Sequence, residues 1–353
     1  MQAVALRRGA YAPAVIEIDR PDPGPGEVLV RTLRVGVDGT DHEVIAGEHG
    51  GFPEGADYLV LGHEAVGVVE DPNDTGLEVG DVVVPTVRRP PASGPTEQFE
   101  RGQPHMAPPE ETLERGIDGA HGFMAEYFTS RAADLVRLPA ALAPLGFLVE
   151  PISISEKALA LARGSRSAFD WRPESALVLG NGSLGLLTLA MLGDVDRRYC
   201  LGRRDRPDPT IEIIERLGAT YVDSRETPIP EIPAVHEAAD LVYEATGYAR
   251  HAFESIEALA PNGVAALVGV PEPWRFEVDG GRLHRKLVMN NLAVVGSVNS
   301  GREHFAAAIE TLEGLPSWFT DALVTGVYPL SEYERAFATS ETTIKTALQF
   351  DTQ

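Results

Sequence analysis

Short valine-bearing runs at residues 15–18, 27–32, 59–61, 65–69 and 81–85 dominate the first 150 positions, and Gly or Pro interrupts them. That texture predicts an all-β unit with tight turns. Between Arg88 and Ala120 the pattern fails: Pro90-Pro91, Pro95, Pro104 and Pro108-Pro109 stand among mixed charges, which predicts a long irregular lobe. From about residue 155 the period changes. Residues 155–163 form an alanine-rich helical stretch, 176–179 a continuous apolar run suited to a parallel strand buried on both faces, and 184–192 a helix. Further strand-like runs lie at 198–201, 219–222, 241–244, 264–270 and 293–298, mostly with helical segments between them. This alternation predicts right-handed crossovers and a doubly wound parallel sheet. A helix over 302–312 and a mixed segment ending in 344–350 close the chain, which has no internal repeats. The expected fold class is therefore α/β, with a β-rich unit beside a parallel-sheet unit.

Composition narrows the partners. The formal net charge is −23 over 353 residues, and Lys157, Lys286 and Lys345 are the only lysines. Such a surface disfavours nucleic acid and anionic membranes, both of which need basic patches. An acidic, lysine-poor surface also fits life in molar salt, where the Debye length falls to about 3 Å and carboxylate repulsion is screened. No apolar run reaches membrane-spanning length, and the start lacks the apolar core of a signal peptide, so the expected location is the cytoplasm. Cys200 is the single cysteine, which excludes an internal disulfide and a cysteine zinc cluster; its apolar surroundings predict a core residue.

The glycine loop carries the first chemistry. Gly180-Asn181-Gly182-Ser183-Leu184-Gly185 follows the buried strand and opens a helix. In that setting the first Gly makes the turn and the second admits a pyrophosphate. The third packs helix on strand, while the helix N-terminus offers N–H groups to the anion. The next strand ends in Gly202-Arg203-Arg204, where an NAD site usually carries an acid. Two guanidinium groups suit a 2′-phosphate and favour NADP, with some NAD use left open by Asp205 and Asp208 close by. Thr246-Gly247 and Val268-Gly269-Val270 lie at strand ends of the kind that line such a cofactor site.

Gly62-His63-Glu64-Ala65-Val66-Gly67, with Asp38-Gly39-Thr40-Asp41, carries the second chemistry. The frame resembles the zinc-dependent medium-chain dehydrogenase/reductase family, except that Asp38 stands where that family has a cysteine. The resemblance covers essentially the whole chain. The runs 35–43, 114–116, 179–185 and 295–299 look like the family's archaeal glucose 1-dehydrogenases, and Asp38 with Arg203-Arg204 is similar to the haloarchaeal members.

The resemblance implies a GroES-like catalytic domain from residues 1–153 with 300–353, and a Rossmann NADP-binding domain from 154–299. It implies one catalytic zinc on Asp38, His63 and Glu150, with Glu150 just before the first long helix and Glu64 close to the metal. The lobe lacks the cysteines that hold a structural zinc in many relatives, so that second metal is expected to be absent. Thr40 is expected to relay a proton, and Thr40, Glu114, Glu150 and Asn299 to bond sugar hydroxyls. Ser297, Val298 and Asn299 are expected beside the cofactor. The implied reaction oxidises an aldose, most readily β-D-glucose at C1 to D-glucono-1,5-lactone, with hydride transfer to NADP. A homo-oligomer, dimer or tetramer, is expected through the apolar 292–298 region. Two alternatives remain at this point: a zinc-free NADPH-dependent enone or quinone reductase of the same fold, and a non-catalytic NADPH-binding protein.

Overall fold

The strand Glu27–Val37 organises the β-rich part of the chain in the computed structural model, which describes residues 1–351. It pairs antiparallel with Tyr127–Arg131, Glu64–Asp71 and Lys345–Gln349 within one seven-stranded sheet. Val82–Pro85 and Leu135–Arg137 extend the sheet on one side, and Val324–Pro329 on the other. The alternating valines of these strands point into one core with Val30, Val35, Leu61, Phe123 and Phe128. Each fully buried Val, Leu or Phe contributes roughly 1.5–3 kcal/mol, so this layer anchors the strand ends that carry chemistry. The helix Gly39–Ala46 interrupts the expected all-β texture: Asp38 caps it and Gly47 ends it with φ 75°.

Between Arg88 and Ala120 the expected irregular lobe contains real structure. Arg88–Arg89, Leu113–Arg115 and Gly119–Ala120 form a small three-stranded sheet, with a helix at Glu97–Glu100. Prolines mask these pieces in the sequence. The half-buried ion pair from Arg88 Nε to Glu114 Oε1, at 2.9 Å, ties two of the strands together.

The chain divides into two compact units. The first comprises Met1–Ser153, Asn299–Gly314 and the chain from Val324 onward; the second comprises Ile154–Val298 and Leu315–Leu323. The second unit holds a six-stranded parallel sheet. Its order is Thr220–Asp223, Arg197–Gly202, Ser175–Leu179, Ala239–Glu244, Leu259–Leu267 and Ala293–Gly296. Ser175–Leu179 is buried throughout, as its unbroken apolar run requires. The chain reverses direction across the sheet between this strand and Ala239–Glu244, which creates a switch point at their carboxyl ends. Cys200 is buried, and burial pushes its thiol up to about 12, as suits an inert core residue. No helix among the described residues is long and apolar enough to cross a membrane.

Candidate metal centre and cofactor site

His63 stands at the centre of the first unit's polar interior. Gly62 precedes it with φ 84°, and a Cβ there would press on Met124 and Val35, so only glycine lets the chain turn the histidine inward. Glu64 follows as the first residue of Glu64–Asp71, in register with Gly36 of Glu27–Val37. A Cβ on Gly36 would collide with the Glu64 carboxylate, so this second glycine makes room for the acid.

Asp38 has two tasks. Its Oδ1 accepts from Asp41 N–H at 3.1 Å while Asp41 Oδ2 accepts from Asp38 N–H at 3.1 Å, a reciprocal cap for the helix Gly39–Ala46. Its other oxygen, Oδ2, faces His63 Nε2 at 3.6 Å. Capping therefore leaves one carboxylate oxygen directed at the histidine.

Glu150 approaches His63 along with Glu64. The expectation placed Glu150 just before the first long helix, but that helix begins at Val149, so Glu150 lies in its first turn. The 3₁₀ stretch Ala140–Leu148 runs directly into the helix and hides its start from the sequence. Two overlapping groups result, Asp38-Asp41-His63 and His63-Glu64-Glu150, each with ligand atoms within 4.8 Å of one another. Asp38, His63 and Glu150 do not gather to that distance as a trio; His63 joins the two groups.

The electrostatics follow from burying so many acids together. Burial raises Glu150 to about 8, with repulsion from Glu64 and Asp38 adding to it. Burial raises Asp41 to about 7, again with help from Asp38 and Glu64. Glu64 is also pushed up by burial, against the pull of Lys345. Burial opposes ionisation of Asp38 as well, yet the His63 imidazolium outweighs it and holds this carboxyl below its usual range. His63 is correspondingly raised, since the attraction of Asp38 overcomes its own desolvation.

These residues fit a divalent cation. His63 Nδ1 is buried without a hydrogen-bond partner among the described residues, and the acids around it hold protons that a cation would displace. One imidazole with several carboxylates is a donor set zinc accepts.

Lys345 is the residue that sequence reasoning missed. It is 1% exposed and ion-paired with Glu64 Oε2 at the start of Lys345–Gln349. A signal was present: one of only three lysines falls in the otherwise apolar strand pattern Ile344-Lys345-Thr346-Ala347-Leu348. Thr40 lies half-buried in the first turn of Gly39–Ala46. Glu114 is already engaged by Arg88. Asn299 adopts φ 59° and accepts from Ser300 N–H at 2.8 Å, leaving its amide nitrogen for other partners.

In the second unit the glycine loop behaves as its spacing requires. Gly180 has φ 109°, and a Cβ on Gly185 would strike the Gly180 carbonyl. Gly182 caps the helix Ser183–Met191, of which Leu184 is the second residue, and Asn181 Nδ2 donates to Thr210 Oγ1 at 2.6 Å. A cavity of about 830 Å³ opens beside the loop, lined by Gly180, Arg203, Arg204, Arg225, Thr246 and His251 among others. Arg203 and Arg204 are exposed and form no ion pair among the described residues. The neighbouring acids are occupied elsewhere: Asp205 pairs with Arg225 at 2.6 Å, and Asp208 caps Pro209–Arg216.

Val268, Gly269 and Val270 follow the end of Leu259–Leu267, and Gly269 packs so closely on Gly247 that a Cβ would clash. Ser297 is buried, and the carbonyl of Val298 accepts from Lys157 Nζ at 2.8 Å. Neither residue lines the cavity beside the glycine loop.

A GroES-like unit with a histidine–carboxylate metal centre, joined in one chain to a Rossmann unit, defines a zinc alcohol-dehydrogenase type of oxidoreductase. Residues 24–140 match the alcohol dehydrogenase GroES-like domain family, and residues 143–350 match the glucose dehydrogenase C-terminus family. The glucose 1-dehydrogenase of Haloferax mediterranei is 67% identical over 356 residues, covering 100% of both chains. That of Halobacterium salinarum is 64% identical, also over 100% of both. A solved structure of the Haloferax mediterranei glucose dehydrogenase, in complex with NADP, Zn and gluconolactone, superimposes with TM-score 0.99 at 66% identity across both whole chains. The chain belongs to the glucose 1-dehydrogenase family of zinc-dependent medium-chain dehydrogenases.

Proposed function

We propose that this chain oxidises β-D-glucose at C1 to D-glucono-1,5-lactone and passes the hydride to NADP. The carrying observation is the convergence of Asp38, Asp41, Glu64 and Glu150 on His63, in a chain alike over its whole length to glucose 1-dehydrogenases. A zinc-free reductase has no use for so many buried acids, and a non-catalytic protein would have no reason to keep them around one imidazole.

Asp38, His63 and Glu150 would hold the zinc, with His63 common to the two groups of ligating side chains and Glu64 in the second of them. Bound there, zinc supplies Lewis acidity, lowering the pKa of a hydroxyl presented to it. Lys345 neutralises Glu64 and fixes its carboxylate, so that acid does not swing into the sugar's place. Thr40 takes the hydroxyl proton and passes it outward. Glu114, Glu150 and Asn299 bond sugar hydroxyls, and unpaired groups on the protein side would penalise a sugar lacking one of them. The glycine loop cradles the pyrophosphate, Arg203 and Arg204 bind the 2′-phosphate, and residues 268–270, 297 and 298 make further contacts to the cofactor. The first unit is assigned to catalysis and the second to NADP. The reaction is placed in the cytoplasm, where NADP is kept.

Exposed Val288, Met289, Val294 and Val298, beside the edge strand Ala293–Gly296, support pairing of two copies along that edge. Light scattering in molar salt reads the mass, and a monomer there removes this part of the reading.

The activity is tested by assaying glucose, galactose and xylose with NADP and NAD in molar salt, before and after chelation. Glucose with NADP should turn over fastest and stop on chelation. Equal turnover of all three sugars would refute the assigned specificity, and chelation-resistant turnover the zinc assignment.

A further inference from the structure

Another group of ligating side chains converges away from the residues used above. His105 lies in the Pro104–Met106 turn of the lobe, and Glu303 and His304 lie in the first turn of the helix Arg302–Gly314. One ligand atom from each falls within 4.8 Å of the other two. His105 Nε2 is 3.5 Å from Glu303 Oε1, which is 3.7 Å from His304 Nδ1. The two imidazoles meet edge to face, with centroids 5.0 Å apart and planes at 85°.

We propose that His105, Glu303 and His304 form a second divalent-cation site, of zinc-binding type, that ties the lobe to the helix Arg302–Gly314.

Two of the three separations suit a shared metal ion. Zinc bound tetrahedrally by nitrogen and oxygen at about 2.1 Å separates its ligand atoms by about 3.4 Å. Two edges of the triangle are within a few tenths of an ångström of that value. Two imidazoles with one carboxylate select zinc, nickel or copper over magnesium or calcium, which prefer all-oxygen sets.

The surroundings hold the ligands in place. His105 is 7% exposed, and a Cβ on Gly301 would strike its ring, so glycine lets the 299–301 turn close over it. Gly301 N–H donates to His304 Nδ1, the nitrogen that faces Glu303, at 3.0 Å. Metal uptake takes over this lone pair, and the Gly301 N–H gives way. Glu303 is 56% exposed on its side chain, so the ion enters from solvent and exchanges readily. Arg302 already donates to the Ala133 carbonyl at 3.1 Å, and the ion adds a second clamp at the same helix start.

This site is independent of the zinc centre at His63, and the test reads a difference between two proteins. The full chain in molar salt is dialysed against increasing free zinc, and bound zinc per chain is counted for wild type and for Glu303→Gln with His304→Gln. The wild type should take up one equivalent more than the variant and gain melting temperature as that equivalent loads, while glucose oxidation is the same in both. Glu303→Gln alone, at an exposed position, should weaken the extra equivalent if the double variant does not fold. Equal zinc uptake and an equal melting-temperature response in wild type and folded variants would overturn the site, whatever the occupancy at His63.

Discussion

At the metal centre Asp41, Glu64, Glu150, His63 and Lys345 are all packed out of water, with Asp38 at the margin. At the cofactor pocket Arg203 and Arg204 stand in solvent, while nearby acids are committed to Arg225 and to a helix cap. Both sites suit a charged ligand, and the chain builds them differently. In the interior, charge is expensive unless paired, so acids, His63 and Lys345 must be placed together and protons fill the remaining deficit. At the surface water solvates each guanidinium, and availability depends only on keeping acids away, in a chain whose net charge is −23. A buried site is thus written into packing, glycines and register, whereas an exposed one is written into which neighbours are already engaged.

If the interior centre depends on a cation, its first breach should be the most damaging. Asp38→Ala removes the oxygen facing His63 and should lower kcat/KM by about 10³-fold, since Lewis-acid stabilisation supplies several kcal/mol. Zinc content after dialysis should fall with it; a variant with normal zinc and normal kinetics would show that Asp38 only caps the helix.

Lys345→Met probes the interior balance without touching a metal ligand. Breaking a buried pair by removing one partner costs about 3–5 kcal/mol, so the variant should unfold at markedly lower denaturant. A stability loss under about 1 kcal/mol would mean that the pair is solvated.

The exposed site should respond in selectivity rather than stability. Replacing Arg203 and Arg204 by Ala removes charged hydrogen bonds of about 1.5–3 kcal/mol each, and NADP preference over NAD should drop by about 10²-fold with an unchanged melting temperature. An intact preference would move the 2′-phosphate contact elsewhere, with Arg225 the next residue to test.

The smallest effect distinguishes the sites by pH. Glu150 is raised to about 8 and Asp41 to about 7, so zinc must displace protons below those values. Zinc affinity of the chelated protein should therefore fall as pH drops from 8 to 6, by at most about tenfold per unit for each proton displaced. NADP binding should stay flat over the upper part of that range. Zinc affinity independent of pH would mean that these acids are ionised before the metal arrives.

The sequence made the second unit legible because its features are local. An apolar strand, a glycine loop and an arginine pair occupy about thirty consecutive positions, and each has one structural meaning. The cluster of acids around His63 is only half legible. His63 and Glu64 announce themselves between glycines, and Asp41 belongs to the same sequence frame as Asp38, but its burial and its reciprocal cap with Asp38 appear only in the fold. Lys345 arrives from the far end of the chain through strand pairing; a lysine in an apolar run marks the residue, but no local pattern encodes its partner Glu64. Glu150 falls in the first turn of its helix rather than just before it, because a 3₁₀ run merges with the helix that follows. The lobe looks irregular in sequence because its short strands are held by Arg88 and Glu114 rather than by an apolar period.

The central claim is that the acids around His63 constitute a zinc centre on which glucose oxidation depends. The most direct measurement chelates the protein in molar salt, then titrates zinc back while following glucose-dependent NADPH formation together with bound metal. Turnover should vanish on chelation and return in proportion to zinc bound in the wild type, but not in Asp38→Ala. Full turnover by protein stripped of metal, or recovery in Asp38→Ala equal to wild type, would contradict it.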